Sequence, residues 1–359
     1  MATPHIIRIG SGAPDPAQVE LAVAALRRGE LIALPTETVY GIAARIDLAE
    51  AVERLRTVKG RPDQKPFTVH LADAADAARW SEPLPAMAQR LAARYWPGPI
   101  TLVVPARDGG TVGLRVPARD FTRAVIRQSG VDLFLSSANE AGEPPLWDPE
   151  AIAARFGARV PWIFHGGPAE LREASTVVRV LADRFEVLRE GILGEAQIAA
   201  TAGRLFLFVC TGNTCRSPMA AALFAREAAA LLGCTPAELP RRGVLVQSAG
   251  IAAEGGDAAS DGALQVMAEL GIDLGGHRSQ TTSATLLESA ARVFAMTGSH
   301  RDRLIRAYPQ WADRVQVLAP DGRDVQDPFL GTAAHYRAAR DAIQAAVRAR
   351  ARELLAPPG

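Results

Sequence analysis

Cys210 and Arg216 fall six residues apart in the string Val209–Pro218, VCTGNTCRSP. Cysteine attacks as its thiolate, and arginine grips two phosphate oxygens with its planar fork. The apolar run Leu205–Phe208 precedes the string and the Ala-rich Met219–Phe224 follows it, an order of strand, tight loop and helix. Such a loop turns several backbone N–H groups toward one point at a helix N-terminus, where an oxyanion binds and a thiolate is stabilised. Thiolate, amide cradle and guanidinium together describe a phosphoryl-transfer site. Asn213, one of only two asparagines in the chain, lies inside this loop.

A second set of cations lies far upstream. Of the 40 basic residues only Lys59 and Lys65 are lysines, and both fall in the turn-rich stretch Lys59–Pro66 with Arg61 between them. A chain that otherwise uses arginine wants a compact point charge there. No Gly-Lys dipeptide occurs, which excludes a Walker A loop, so side chains would hold any phosphates bound by this half.

The elements that position these residues fall into two sets. A length of 359 residues with 48% apolar content is ample for two cores. The halves are near neutral, with 23 basic and 24 acidic groups in 1–200 and 17 and 15 in 201–359. No basic field announces nucleic acid, so any RNA contact would be local. Three unframed cysteines point to a reducing compartment, and the N-terminus has no charged and apolar leader pattern. A cytoplasmic protein with no membrane partner is expected. In 1–194, short strands (31–34, 67–71, 100–104, 112–116, 131–135, 162–164, 176–180, 185–188) mix with helices (16–28, 48–58, 85–94), which predicts α/β with some antiparallel pairing. The Gly/Ala-rich 195–203 reads as a linker. Beyond it, in 204–359, strands at 204–209, 243–248, 291–297 and 315–318 alternate with helices at 217–232, 260–270, 299–307 and 332–354. That alternation predicts a doubly wound parallel sheet with the loop at the carboxyl end of its first strand.

The first half resembles the threonylcarbamoyl-AMP synthase family (the YrdC-like domain) through seven strings in family order: PTETVYG at 35–41, KGRPDQKP at 59–66, WPGPIT at 96–101, LRVP at 114–117, SSANEAG at 136–142, STVV at 175–178 and LREG at 188–191. The resemblance implies a mixed α/β domain with a twisted sheet. It would join L-threonine, bicarbonate and ATP into threonylcarbamoyl-adenylate and pyrophosphate, with Mg²⁺, for threonylcarbamoylation of tRNA. By position, Arg61, Lys65, Ser137, Asn139 and Arg189 would contact ATP, and Thr36, His70, Arg115 and Ser175 would hold threonine. ATP is then a substrate, and tRNA or tRNA-modification proteins are partners to consider. No metal-ligand set is assigned. Larger family members carry a different C-terminal domain.

The second half resembles the low-molecular-weight phosphatase family over 204–355. Besides the loop it matches at Ser248–Gly250, His277–Ser279, Ala295–Thr297 and Asp327–Pro328. The resemblance implies that Cys210 attacks phosphorus to form a phosphocysteine, while Arg216 and the amides of Thr211, Gly212, Asn213, Thr214 and Cys215 hold the oxygens. Asp327 would protonate the leaving group and then activate water, with no cofactor. Ser217 would donate to the thiolate, and Asn213 with Ser248 would brace the loop. CTGNTCRS resembles the bacterial protein-arginine phosphatase branch, in which Thr214 replaces a bulky aliphatic residue; DPFLG departs from that branch's DPFGG at Leu330. Phosphoarginine on a protein is the expected substrate and phosphotyrosine the alternative. Cys215 could pair with Cys210 under oxidation, and Cys234 reads as a structural thiol. The whole reads as a bifunctional enzyme. Its rival is that one half is a non-catalytic RNA- or phosphoprotein-binding module.

Overall fold

A computed structural model describes residues 3–60, 66–140 and 142–356. The chain divides into two compact units, Met1–Ala202 and Gly203–Gly359.

The first unit is built on a ten-stranded sheet of β1 (His5–Arg8), β2 (Ile32–Leu34), β3 (Gly41–Arg45), β4 (Thr68–His70), β5 (Ile100–Pro105), β6 (Thr111–Arg115), β7 (Leu133–Ser137), β8 (Trp162–His165), β9 (Thr176–Val180) and β10 (Phe185–Arg189). Their order is β1-β8-β2-β3-β7-β4-β6-β5-β9-β10. Parallel pairs (β4 with β6, β5 with β9) and antiparallel pairs (β3 with β7, β4 with β7) mix, as the crowding of strands predicts. Two strands escape the sequence patterning. β1 is four residues long, and the GIAAR of β3 is mostly buried, so no polar alternation marks it. The helices Asp120–Ser129 and Pro149–Phe156 are further additions, and the strand expected at 131–135 runs at Leu133–Ser137.

The stretch read as a linker is a helix, Glu195–Ala202. Its Ile198, Ala199 and Ala202 are buried in the core of the first unit with Leu91 and Ala92 of the Ala86–Tyr95 helix. Arg90 donates to the Ala202 carbonyl and Tyr95 Oη bonds Thr201 Oγ1 at 3.0 Å. Small side chains that look like spacer composition instead allow close helix contact. The first unit therefore extends to Ala202.

The second unit carries four parallel strands, β11 (Arg204–Cys210), β12 (Val244–Gly250), β13 (Ala290–Ala295) and β14 (Val315–Val317), in the order β12-β11-β13-β14. Residues 205–210 of β11 are all buried, as a central parallel strand requires. Its two-residue period divides them: Leu205, Leu207 and Val209 enter one core, while Phe206, Phe208 and Cys210 enter the other. Phe208 lies 5.2 Å from Phe224 and 5.6 Å from Phe294, contacts worth about 0.5–1.5 kcal/mol each beyond their buried area. Cys210 thus leaves the strand on the face covered by the helices Arg216–Leu232 and Ala333–Leu355. Among the described residues no helix is long and apolar enough to cross a membrane.

Candidate active sites in the two units

In the second unit β11 ends at Cys210, and the next helix begins at Arg216. The loop between them is fixed mainly through Asn213, which has a left-handed backbone (φ 57°) and no exposed surface. Its Nδ2 donates to Ser217 Oγ at 2.9 Å and to Ser248 Oγ at 2.8 Å. Its Oδ1 accepts from the Gln280 amide at 2.9 Å, and its carbonyl accepts from His277 Nε2 at 2.6 Å. Asparagine suits the position because it tolerates the left-handed region and carries both donors and acceptors. Behind the loop runs Gly250, where a Cβ would stand 2.5 Å from the Thr211 carbonyl oxygen, so only glycine lets the strand pass so close.

Cys210 Sγ lies 3.0 Å from Ser217 Oγ and accepts from the Asn213 amide at 3.3 Å. The Asn213 amide donates toward the sulfur, while the Ser217 hydroxyl beside it can also donate to the Ala249 carbonyl, 3.3 Å away. Arg216 is buried; its Nη1 donates to the Val325 carbonyl at 3.1 Å and its Nη2 to Asp327 Oδ2 at 2.5 Å. Its Nε is buried without a partner among the described residues, and a buried guanidinium N–H left this way costs about 1–3 kcal/mol until an anion arrives. Asp327 stays half exposed, and its Oδ1 accepts from the Phe329 amide at 3.2 Å. Nucleophile, cradle, guanidinium and carboxylate therefore converge. Thr214, the expected selector, is half-buried, with its hydroxyl 3.6 Å from Cys215 Sγ. Cys215 Sγ donates to Ser260 Oγ at 3.2 Å and sits 3.5 Å from Tyr336 Oη. All three cysteines are free thiols; burial pushes the Cys234 thiol up, in keeping with a packing role.

One residue of this site carried no sequence signal. His300 is buried on the Gly298–Ala307 helix, with Nε2 2.9 Å from Thr211 Oγ1 and Nδ1 2.7 Å from Thr297 Oγ1.

In the first unit the expected residues sit at strand ends. His70 and Arg115 end the neighbouring strands β4 and β6 in register. Arg115 is buried, and its Nη2 donates to Glu37 Oε1 at 2.6 Å and Thr38 Oγ1 at 2.7 Å. Glu37 Oε2 accepts from the Ala118 amide at 2.8 Å. Thr38 and Thr36 hydroxyls lie 2.9 Å apart, and Thr36 donates to the Val39 carbonyl at 2.5 Å. These hydrogens run one way, from Arg115 through Thr38 and Thr36, and lock the guanidinium. Arg115 Nε is buried and has no partner among the described residues. His70 is buried, and its Nδ1 donates to the Thr68 carbonyl at 3.3 Å, which leaves Nε2 as an acceptor. Burial first, and then the Arg115 charge, push its pKa down to about 3, so the ring is neutral. Arg189 donates to the Ser175 carbonyl at 2.8 Å, and Ser175 Oγ contacts Thr101 Oγ1 at 3.2 Å. Desolvation and the Arg115 charge lower the Arg189 pKa; the second cause marks two like charges sharing a place suited to an anion.

Ser137 Oγ donates to Asn139 Oδ1 at 2.6 Å, and Asn139 Nδ2 donates to the Glu143 carbonyl at 2.6 Å. Beneath them Lys59 ends the Ala49–Lys59 helix and buries its ammonium, which donates to the Ser137 carbonyl at 2.6 Å, to Asn139 Oδ1 at 2.7 Å and to the Asn139 carbonyl. Three convergent acceptors suit a compact ammonium better than a planar fork. The sequence marks Lys59 as special, and the structure uses it as a brace for this loop. Arg61 and Lys65 lie outside the described residues. Glu37 and Lys59 both lie within the matched strings, yet nothing in a linear motif names their partners.

Comparison with known proteins follows the same division. A family model for Sua5, YciO and YrdC proteins, described as telomere recombination, matches residues 24–191. Another, described as low molecular weight phosphotyrosine protein phosphatase, matches residues 206–356. The chain is 36% identical over 199 residues to a threonylcarbamoyl-AMP synthase of Bacillus subtilis, a match covering 53% of this chain and 57% of that protein. It is 41% identical over 142 residues to a protein-arginine-phosphatase of Geobacillus stearothermophilus, covering 38% of this chain and 87% of that one. The solved structure of Pyrococcus abyssi Sua5 complexed with L-threonine matches at a TM-score of 0.51 and 26% identity, over 57% of this chain and 71% of that chain.

Proposed function

From a chain that belongs to the threonylcarbamoyl-AMP synthase family in its first unit and to the low-molecular-weight phosphatase family in its second, both families of enzymes, we propose one bifunctional enzyme. In the second unit the Cys210 thiolate attacks phosphorus, and the bond to the leaving group breaks as the phosphocysteine forms. The Arg216 fork and loop amides hold the equatorial oxygens. Asp327 gives its proton to the leaving atom, then takes one from the water that releases phosphate and restores the thiolate. The observation that carries this reading is the Nε of Arg216, buried and without a partner among the described residues, in the same loop–helix turn whose Asn213 amide addresses the Cys210 sulfur. Phosphoarginine on a protein is the substrate class we favour. Thr214 offers a hydroxyl where an aliphatic wall would suit a phenyl ring, and the Geobacillus relative is a protein-arginine-phosphatase.

In the first unit Arg115 Nε suits the carboxylate of L-threonine and His70 Nε2 suits its ammonium, with Ser175 closing that end. Ser137, Asn139 and Arg189, together with Arg61 and Lys65, would hold ATP. Bicarbonate and threonine would give threonylcarbamoyl-adenylate with release of pyrophosphate, for transfer to tRNA. Mg²⁺ would arrive on the ATP phosphates. We place the protein in the cytoplasm.

Turnover of matched phosphoarginine and phosphotyrosine peptides by the whole chain tests the second unit, with Cys210→Ser as the blank. A phosphoarginine preference supports the arginine branch. A phosphotyrosine preference moves the substrate and keeps the mechanism, and turnover of neither supports a docking module. Threonine- and bicarbonate-dependent pyrophosphate release from ATP tests the first unit. It should survive Cys210→Ser and fall in Lys65→Ala.

A further inference from the structure

His300 occupies both ring nitrogens with hydroxyls and touches the loop at the residue next to the nucleophile. Either ring nitrogen can donate or accept, and one of the two directions leaves a hydrogen free at the loop. Thr297 Oγ1 already accepts from the His300 amide at 3.2 Å, so its own proton is free to go to Nδ1, 2.7 Å away. A neutral ring that accepts at Nδ1 carries its hydrogen on Nε2 and donates it to Thr211 Oγ1. Burial and then the Arg216 charge lower the His300 pKa, in keeping with a neutral ring. Thr211 Oγ1 has His300 as its one hydrogen-bond partner among the described residues, and Thr211 is itself exposed. One of its two lone pairs is then taken, and its own hydrogen remains for an acceptor that comes from outside.

We propose that His300 is a positioning residue that presents the Thr211 hydroxyl as an added hydrogen-bond donor to a phosphoryl oxygen in the Cys210 loop. Thr297, Nδ1, Nε2 and Thr211 then form one directed line of hydrogens ending at the exposed loop residue next to the nucleophile. The backbone amides of the loop need no such help, because their direction is set by the fold. A hydroxyl rotates, and without the histidine it could spend its hydrogen on water. The line therefore converts a freely rotating group into one preorganised for the anion. The inference rests on reading this loop as a phosphate site.

The test is a double-mutant cycle in the full chain on inorganic phosphate affinity and on kcat and KM for p-nitrophenyl phosphate. His300→Gln and Thr211→Val should each weaken phosphate about tenfold, the loss expected for one hydrogen bond to a charged group. The double variant should be no worse than Thr211→Val alone, and Thr211→Ser should restore binding. The melting temperature of each variant separates this from a packing role, which would lower stability and add to the Thr211 effect. Additive losses, or a Thr211→Val variant that binds phosphate like the parent, overturn the inference. Coupled losses in binding without any turnover would instead overturn the phosphatase reading and leave the positioning role standing. No phosphate binding by the parent chain overturns both.

Discussion

Each unit holds a buried arginine against a carboxylate, and the two pairs differ in one respect. Arg115 and Glu37 are both sealed, with side chains 7% and 8% exposed, whereas Arg216 is 5% exposed beside an Asp327 that is 49% exposed. In both, the guanidinium Nε is left without a partner among the described residues. A carboxylate that only aims an arginine is best dry, where its charge is fully felt and its hydrogen bonds hold still. A carboxylate that passes protons to a leaving group and a water must be reached by both. On the proposed reading of Asp327 as the acid, exposure of the partner separates an aiming pair from a working one.

That contrast is sharpest under substitution. Asp327→Asn should lower phosphatase kcat by about 10²–10⁴-fold, the usual contribution of a general acid and base, while the second unit melts close to the parent. Glu37→Ala should do the reverse to the first unit. It strands a buried Arg115 charge and should cost about 3–5 kcal/mol of stability, read by chemical denaturation. Glu37→Gln, which keeps an oxygen toward the arginine, should lose less. A large stability loss in Asp327→Asn, or none in Glu37→Ala, would break the distinction.

The two sites were unequally legible in the sequence for the same physical reason. The cradle is contiguous: Cys210, Asn213, Arg216 and Ser217 share one strand–loop–helix turn, so spacing alone brings them together. The residues proposed for the synthase site that the structure describes are spread from Thr36 to Arg189 over the ends of β4, β6, β7 and β10 and the turns beside β2 and β9, and only their resemblance to a family joined them. Glu37 looked like one polar residue among threonines because its partner lies 78 positions away. Glu195–Ala202 was misread because composition was weighed above period. Ile198, Ala199 and Ala202 stand on one helical face, and that signal was present.

A smaller effect probes the dry centre of the first unit. The folded His70 stays neutral down to about pH 3, while the unfolded chain takes up the proton near 6.5. The unfolded state binds more protons throughout that window, so stability falls as pH falls below about 6.5, by up to about 1.4 kcal/mol per pH unit. His70→Gln should remove that share of the slope. Four of the five tryptophans, Trp80, Trp96, Trp147 and Trp162, lie in the first unit, so their fluorescence during urea unfolding mainly follows it. Parallel slopes for parent and variant would mean that water reaches this site.

The smallest effect concerns the loop that keeps Asp327 exposed. Of the non-glycine residues with positive φ among the described residues, Asn213 and Leu330 both belong to the phosphatase unit. Asn213 is held there by its hydrogen bonds. Leu330, with φ 60°, is 90% exposed, and its apolar side chain can form no such bonds. A left-handed leucine costs about 1–2 kcal/mol, and glycine would lose about 0.5–1 kcal/mol of that gain to the added freedom of the unfolded chain. Leu330→Gly should therefore raise the melting temperature of the second unit slightly, about 1–3 °C. Turnover of p-nitrophenyl phosphate should stay within about twofold, because the Phe329 amide, not the Leu330 side chain, holds Asp327 Oδ1. A gain in stability with a clear loss of kcat would show that the strained residue sets the aim of the acid, and would move Asp327 part of the way toward the aiming pair it is contrasted with.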